Sequence, residues 1–258
     1  MQLSLSPKSK LSLLWLGTFW LLALLFTPRL MATSSVSPNA DSSSVSGADT
    51  PVLYYVWDPL CGWCYGFAPV MDSVEQHYAG RLKVELVLGG LAIGERAAPV
   101  SEAYGYIKGA LQTVENRTGV AFGQGFRDLL EEGSYVYNSL PPCKAIVRVR
   151  QTHPETVLEY AHLVQSRFFR EGANLNDPAT YRAINRSLNL PEDLTDPVFN
   201  NPAWDEKLAE EFNRARELGA TGFPTLVLQN GKSRVTLARG YTDFRSLQTY
   251  LDNILGNH

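Results

Sequence analysis

A short strand-like run that stops at a proline and hands over to two cysteines three residues apart constrains this chain more than any other feature. Val52-Leu53-Tyr54-Tyr55-Val56-Trp57 is β-branched and aromatic, the character of a buried strand. Asp58-Pro59 ends it, and Cys61-Gly62-Trp63-Cys64 opens the next element, a helix expected from about Cys61 to Tyr78 and closed before Gly80. Residues three apart on a helix share a face, with side chains roughly 5–6 Å apart. A small adjustment in the first turn brings two such sulfurs to bonding distance. The pair can therefore open and close with little backbone movement.

Position on the helix adds a direction to the chemistry. Unpaired backbone N–H groups at a helix start favour a nearby negative charge by ~0.3–1 kcal/mol. Cys61 comes first and is expected to be the exposed attacking thiol. Cys64 is expected to be more buried and to resolve the mixed disulfide. No cation stands between them, since Gly62-Trp63 is neutral. An intermediate redox poise is expected from that dipeptide.

The only other cysteine is Cys143. Three cysteines in 258 residues do not make a disulfide scaffold, and a chain that is 45% hydrophobic has a core that needs no staples. Zinc would need about four ligands. The remaining candidates, Cys143, His77, His153, His162 and His258, show no paired spacing, so no metal is expected. An inert structural disulfide is the other plain reading of the pair.

The rest of the chain alternates in type. Leu82 to Leu88 reads as a second strand, stopped by Gly89-Gly90. Residues 91–216 read as helical. Three apolar stripes recur at three- and four-residue steps: Tyr106, Ile107, Ala110, Leu111 and Val114; then Val157, Tyr160, Ala161, Val164 and Phe168; then Trp204, Leu208, Phe212 and Ala215. Pro141-Pro142 and Pro154 suit helix starts, and Asn176-Asp177-Pro178 marks another boundary. Strand character returns at Thr225 to Gln229. Asn230-Gly231 signals a hairpin, Val235 to Ala238 is the returning strand, and Phe244, Leu247, Leu251 and Ile254 form a last helix. The segments 51–90 and 217–258 form one mixed α/β unit too small to stand alone, so the helical block 91–216 is expected to share its core.

The N-terminus is different again. Lys8 and Lys10 precede an apolar run, Leu11 to Phe26, followed by a polar stretch to Ala32. That is the layout of an export signal. The alternative is an uncleaved anchor, although the run spans roughly 24 Å against a bilayer core of about 30 Å. Either places the remainder outside the cytoplasm, periplasmic or secreted, with the membrane engaged only through an uncleaved segment. Residues 33–50 are Ser-rich and are expected to be a flexible linker. A net charge of −3 excludes a broadly basic nucleic-acid binder.

Two segments carry a resemblance: Tyr55-Val56-Trp57-Asp58-Pro59-Leu60-Cys61-Gly62-Trp63-Cys64, and Gly219-Ala220-Thr221-Gly222-Phe223-Pro224-Thr225. Together with the helical block between them they resemble the DsbA family of the thioredoxin superfamily. Gly89-Gly90-Leu91, and Asn138-Ser139 leading to Cys143-Lys144-Ala145, are similar to its FrnE-like branch. The resemblance implies a thioredoxin-like α/β fold with a large inserted helical domain. It also implies a cis Phe223–Pro224 bond facing the cysteines, with Phe223 offering its main chain to an extended substrate. Gly62-Trp63 departs from the Pro-His of strongly oxidising members, a C-terminal second cysteine pair is not evident, and an export signal is not typical of the branch.

The protein is accordingly expected to be a thiol–disulfide oxidoreductase acting on exported protein thiols and disulfides through Cys61 and Cys64, with Pro224, Phe223 and Trp63 contacting substrate. The disulfide is itself the redox group, so no cofactor is expected. A separate redox partner resets the pair, and glutathione is a candidate partner. A glutathione-linked transferase or isomerase on the same fold is a second reading, and a peptide-binding module with an inert disulfide a third. Trp63 is expected to be exposed. Asp58 is either a turn residue or a proton-transfer group for Cys64. Cys143, at a helix start that would favour its thiolate, is either a plain buried residue or part of the cleft.

Overall fold

The computed structural model describes residues 50–256. The export segment and nearly all of the Ser-rich segment lie outside the described residues. Strand β1 (Val52–Trp57) leads into α1 (Gly62–His77) and then β2 (Lys83–Leu88). β1 and β2 pair in parallel, with Leu53 opposite Val84 and Tyr55 opposite Leu86. β3 (Thr225–Asn230) pairs antiparallel to β1, and β4 (Ser233–Arg239) antiparallel to β3, giving the order β2-β1-β3-β4. The hairpin turn falls at Gly231-Lys232, where Gly231 takes φ +55°, a conformation a side chain would resist. The returning strand begins two residues before the expected Val235.

β1 is apolar throughout because both its faces are covered. Leu53, Tyr55 and Trp57 point into the main core, where the rings of Tyr55 and Phe67 of α1 lie 5.8 Å apart. Val56 points the other way, into a smaller cluster with Val87, Val227, Ala215 and Leu218. Each large apolar side chain buried this way contributes about 1.5–3 kcal/mol.

Between β2 and β3 lie α2 (Tyr104–Thr118), α3 (Gln124–Glu132), α4 (Leu140–Thr152), α5 (Val157–Phe169), α6 (Pro178–Ser187), α7 (Asp196–Phe199) and α8 (Ala203–Glu217); α9 (Phe244–Leu255) comes after the hairpin. The architecture is a mixed four-stranded thioredoxin-like sheet with a helical insertion. The stripes read on α5 and α8 are buried, except for half-buried Val157 at the start of α5. That of α2 is buried only at Leu111 and Val114, and Tyr106 is 80% exposed. Pro141 and Pro142 sit in the first turn of α4, and Asp177 caps α6 by accepting from Ala179 N–H at 2.8 Å. Arg150 of α4 donates to the Leu86 carbonyl at 3.0 Å and pairs with Glu211 of α8, which fastens the insertion to the β2 edge. Among the described residues no helix is long and apolar enough to cross a membrane.

The sequence did not mark α3 as a separate helix. Its start lies backbone to backbone on the chain leaving α5: a Cβ on Gly125 would sit 2.2 Å from the Glu171 carbonyl oxygen. Gly125→Ala is therefore expected to destabilise the fold by roughly 1–3 kcal/mol. Chemical denaturation would show it as a lowered midpoint at unchanged slope. An unchanged midpoint would mean that this contact relaxes freely.

Candidate functional site

The cysteine pair sits where β1 gives way to α1. The helix begins at Gly62 and ends at His77, one residue inside each expected end. Cys61 is instead its N-cap, with an extended backbone (φ −86°, ψ 109°). Its Sγ accepts from Cys64 N–H at 3.3 Å, so the sulfur takes one of the helix's unpaired donors. Its thiol donates to the Phe223 carbonyl at 3.5 Å, and the Phe223–Pro224 bond is cis. The loop before β3 thus faces the cysteines. All three cysteines are free thiols, and Cys61 and Cys64 share one face of the helix start.

Exposure differs from the expectation in two places. Cys61 retains 7% of its surface, while Cys64 has none. The order of the two is as expected, but Cys61 is recessed, with the Phe223 carbonyl against its sulfur. Trp63 is half-buried and packs on the core rather than standing free. Burial pushes the Cys64 thiol up; a hydrogen bond and charge from Cys61 push it further, and a hydrogen bond from Asp58 N–H works against them. Such a thiol releases its proton late.

Asp58 is fully buried beside them. Oδ1 accepts from Leu60 N–H at 2.9 Å and from Ser139 Oγ at 3.1 Å, and Oδ2 accepts from Leu91 N–H at 2.6 Å. Ser139 in turn accepts from Ala92 N–H at 3.0 Å. These bonds tie the cysteine loop, the chain after β2 and the start of α4 together, which is the turn role. Burial raises the carboxyl to about 6, against the lowering effect of the same bonds.

Cys143 lies three residues into α4 and is fully buried. Burial, with the charge of Asp58 next, pushes its thiol well up, so the helix start does not favour its thiolate. It packs as a small core residue.

Sequence reasoning missed Gln165. This α5 side chain is fully buried. Its amide nitrogen faces the carbonyls of Asp58, Pro59 and Cys61 at 3.1, 3.4 and 3.3 Å, and its oxygen accepts from Trp57 Nε1 at 3.1 Å. The insertion thereby holds the cysteine loop from behind. The available signal was a lone amide four residues from both Ala161 and Phe169 on a buried face.

A cavity of about 790 Å³ opens at Cys61, lined also by Trp63, Leu91, Phe223 and the inner side of α2. Gly89 must lack a side chain there, since a Cβ would meet the Phe223 ring at 2.0 Å. Among the described residues no cluster of three or more His, Cys, Asp or Glu side chains is placed to hold a metal ion.

A dithiol at a helix start, set against a cis-proline loop on a mixed sheet, defines the thioredoxin-like class. The DSBA-like thioredoxin domain matches residues 52–252, and the chain belongs to that family. A solved structure described as a putative protein disulfide isomerase from Nitrosomonas europaea is similar over 81% of this chain and 100% of that one, with 28% identity and a TM-score of 0.69. The cytosolic disulfide reductase DsbM from Pseudomonas aeruginosa is similar over 80% and 100%, with 25% identity and a TM-score of 0.68. The structure of DsbM with GSH gives 0.65. Thioredoxin 1 of Nostoc sp. is 38% identical over 55 residues, 21% of this chain and 51% of that protein. The chain thus matches about half the length of the curated thioredoxin.

Proposed function

We propose that this protein exchanges disulfides with exported protein substrates through Cys61 and Cys64. The observation that carries the reading is the position of Cys61 Sγ, between the Cys64 N–H at 3.3 Å and the Phe223 carbonyl at 3.5 Å, at the mouth of the cavity.

The steps use this chain's own atoms. Cys61 thiolate attacks one sulfur of a substrate disulfide; that S–S bond breaks and the other sulfur leaves as a thiolate. The Cys64 N–H and the helix start stabilise charge on Cys61. Cys64, once deprotonated, attacks Cys61 Sγ, releasing the substrate reduced and leaving Cys61–Cys64 oxidised. The reverse sequence oxidises a substrate dithiol. Phe223 and Pro224 line the approach of an extended substrate, and Trp63 contacts it from the cavity side. The disulfide is the only redox group required. A separate partner resets the pair, and glutathione suits that role, which the DsbM structure with GSH supports.

The exported setting rests on the charged and apolar order of residues 1–32. The neutral Gly62-Trp63 supports an intermediate poise. Equilibration with glutathione redox buffers, followed by alkylation and mass spectrometry, reads the reduction potential of the pair. The expected value lies between roughly −270 mV, typical of thioredoxin, and roughly −120 mV, typical of a dedicated oxidase. A value at the oxidase end would overturn the intermediate poise. No reduction of insulin or oxidation of a peptide dithiol above background would overturn the function.

A further inference from the structure

Helix α2 carries an apolar stripe whose first half, Tyr106, Ile107 and Ala110, is left partly or largely exposed. Leu111 and Val114 are buried, Ile107 and Ala110 are half-buried, and Tyr106 stands out at 80% exposure. All five line the cavity of about 790 Å³. Phe122, Phe126 and Phe169 add aromatic surface to the same space. Stripes like this are normally covered by another helix or a sheet. Here the space beside it falls in the range of small-molecule sites, about 300–1,000 Å³.

Two facts limit what can occupy that space. The charged side chains along it are Glu95, Glu102, Arg96 and Arg216, which balance, so apolar surface rather than net charge selects the occupant. Cys61 lies in the same lining, so an occupant within reach of it is the group attached to the sulfur that Cys61 meets.

We propose that Cys61 also acts on low-molecular-weight disulfides whose sulfur carries an apolar group of aromatic size, seated against the inner side of α2. The proposal rests on the thiol–disulfide reading above. Cys61 thiolate attacks the sulfur bearing the apolar group. The S–S bond breaks, and the other half leaves as a thiolate and takes a proton from water. Cys64 then attacks Cys61 Sγ, releasing the apolar thiol and closing Cys61–Cys64. Two electrons pass from the dithiol to the substrate, and an added dithiol such as dithiothreitol restores the pair.

The test compares two probes of similar intrinsic reactivity, bis(hydroxyethyl) disulfide and hydroxyethyl phenethyl disulfide, with dithiothreitol as reductant and the uncatalysed rate subtracted. The phenethyl probe is expected to show a kcat/KM higher by about tenfold or more. Ala110→Phe, which fills the cavity from α2, is expected to bring that ratio close to one. Should this variant not fold, phenethyl alcohol is expected to compete with the phenethyl probe on the unaltered protein and raise its KM. Turnover of neither probe would overturn the thiol–disulfide reading and this proposal with it. Equal kcat/KM for the two, a ratio unmoved by Ala110→Phe, or no competition by the alcohol would overturn this proposal alone.

Discussion

Replacing Cys61 with Ser is expected to lower turnover of any disulfide substrate by on the order of a thousandfold or more, while Cys64→Ser is expected to stall the protein as a covalent adduct. The difference arises from the two sulfurs' surroundings. Cys61 alone reaches the cavity and alone receives a backbone N–H at the helix start. A serine hydroxyl there is not ionised at neutral pH and cannot stand in as the nucleophile. Cys64 has no exposed surface, so its removal leaves the first attack intact and the second impossible. Intact-mass measurement after incubation with glutathione disulfide would show Cys64→Ser carrying one glutathione and Cys61→Ser carrying none. Substantial turnover in Cys61→Ser would place the nucleophile elsewhere. Cys143 is a poor substitute, being fully buried with its thiol pushed up.

The second large effect concerns pH. Asp58 has a carboxyl raised from 3.8 to about 6 by burial. Below about pH 4 the folded and unfolded chains both hold this proton, and the group costs nothing. As pH rises from about 4 to about 6 the unfolded chain gives up the proton first. The folded state then binds more protons, and stability falls through that window. One pKa unit corresponds to about 1.4 kcal/mol, so the fall from this group is on the order of 3 kcal/mol. Asp58→Asn removes the proton and so removes the slope. Absolute stability is the poorer readout, because an amide nitrogen would replace one of the oxygens that Leu60, Leu91 and Ser139 now use. Denaturation at several pH values should show the two proteins' stabilities diverging between pH 4 and 6. Parallel curves would mean that Asp58 titrates normally.

Much of this architecture could be read along the chain because it is written in local patterns. β1 is a continuous apolar run since both its faces are covered, the Asn230-Gly231 signal lies at the β3–β4 turn, and the stripes of α5 and α8 have the periodicity of the faces they bury. The cysteine spacing and the strand before it were enough to place the pair at a helix start. The cis Phe223–Pro224 bond was implied by resemblance alone, since nothing local distinguishes it from an ordinary strand-entry proline.

What could not be read depends on partners distant in sequence. Asp58 bonds Leu91 and Ser139, 33 and 81 residues away. Trp63 is half-buried because it packs against the main core, which draws on residues from across the chain. The stripe on α2 looked like the others, and only the packed structure shows that it fronts a cavity, with burial confined to Leu111 and Val114. α3 was not separated from the helical block because its apolar rhythm, Phe126, Leu129 and Leu130, is confined to one short helix, Gln124–Glu132.

The contact of Gln165 with the cysteine loop sets an order on how the site comes into being. More than 100 residues separate Gln165 from the carbonyls of Asp58, Pro59 and Cys61. A chain growing from its N-terminus therefore carries both thiols long before it carries the side chain that seats them, and Phe223 arrives later still. Through that interval the cysteines belong to an unfinished polypeptide that lacks the contacts seating them in the folded chain. A newly made copy thus holds its dithiol before it holds the site that orients it.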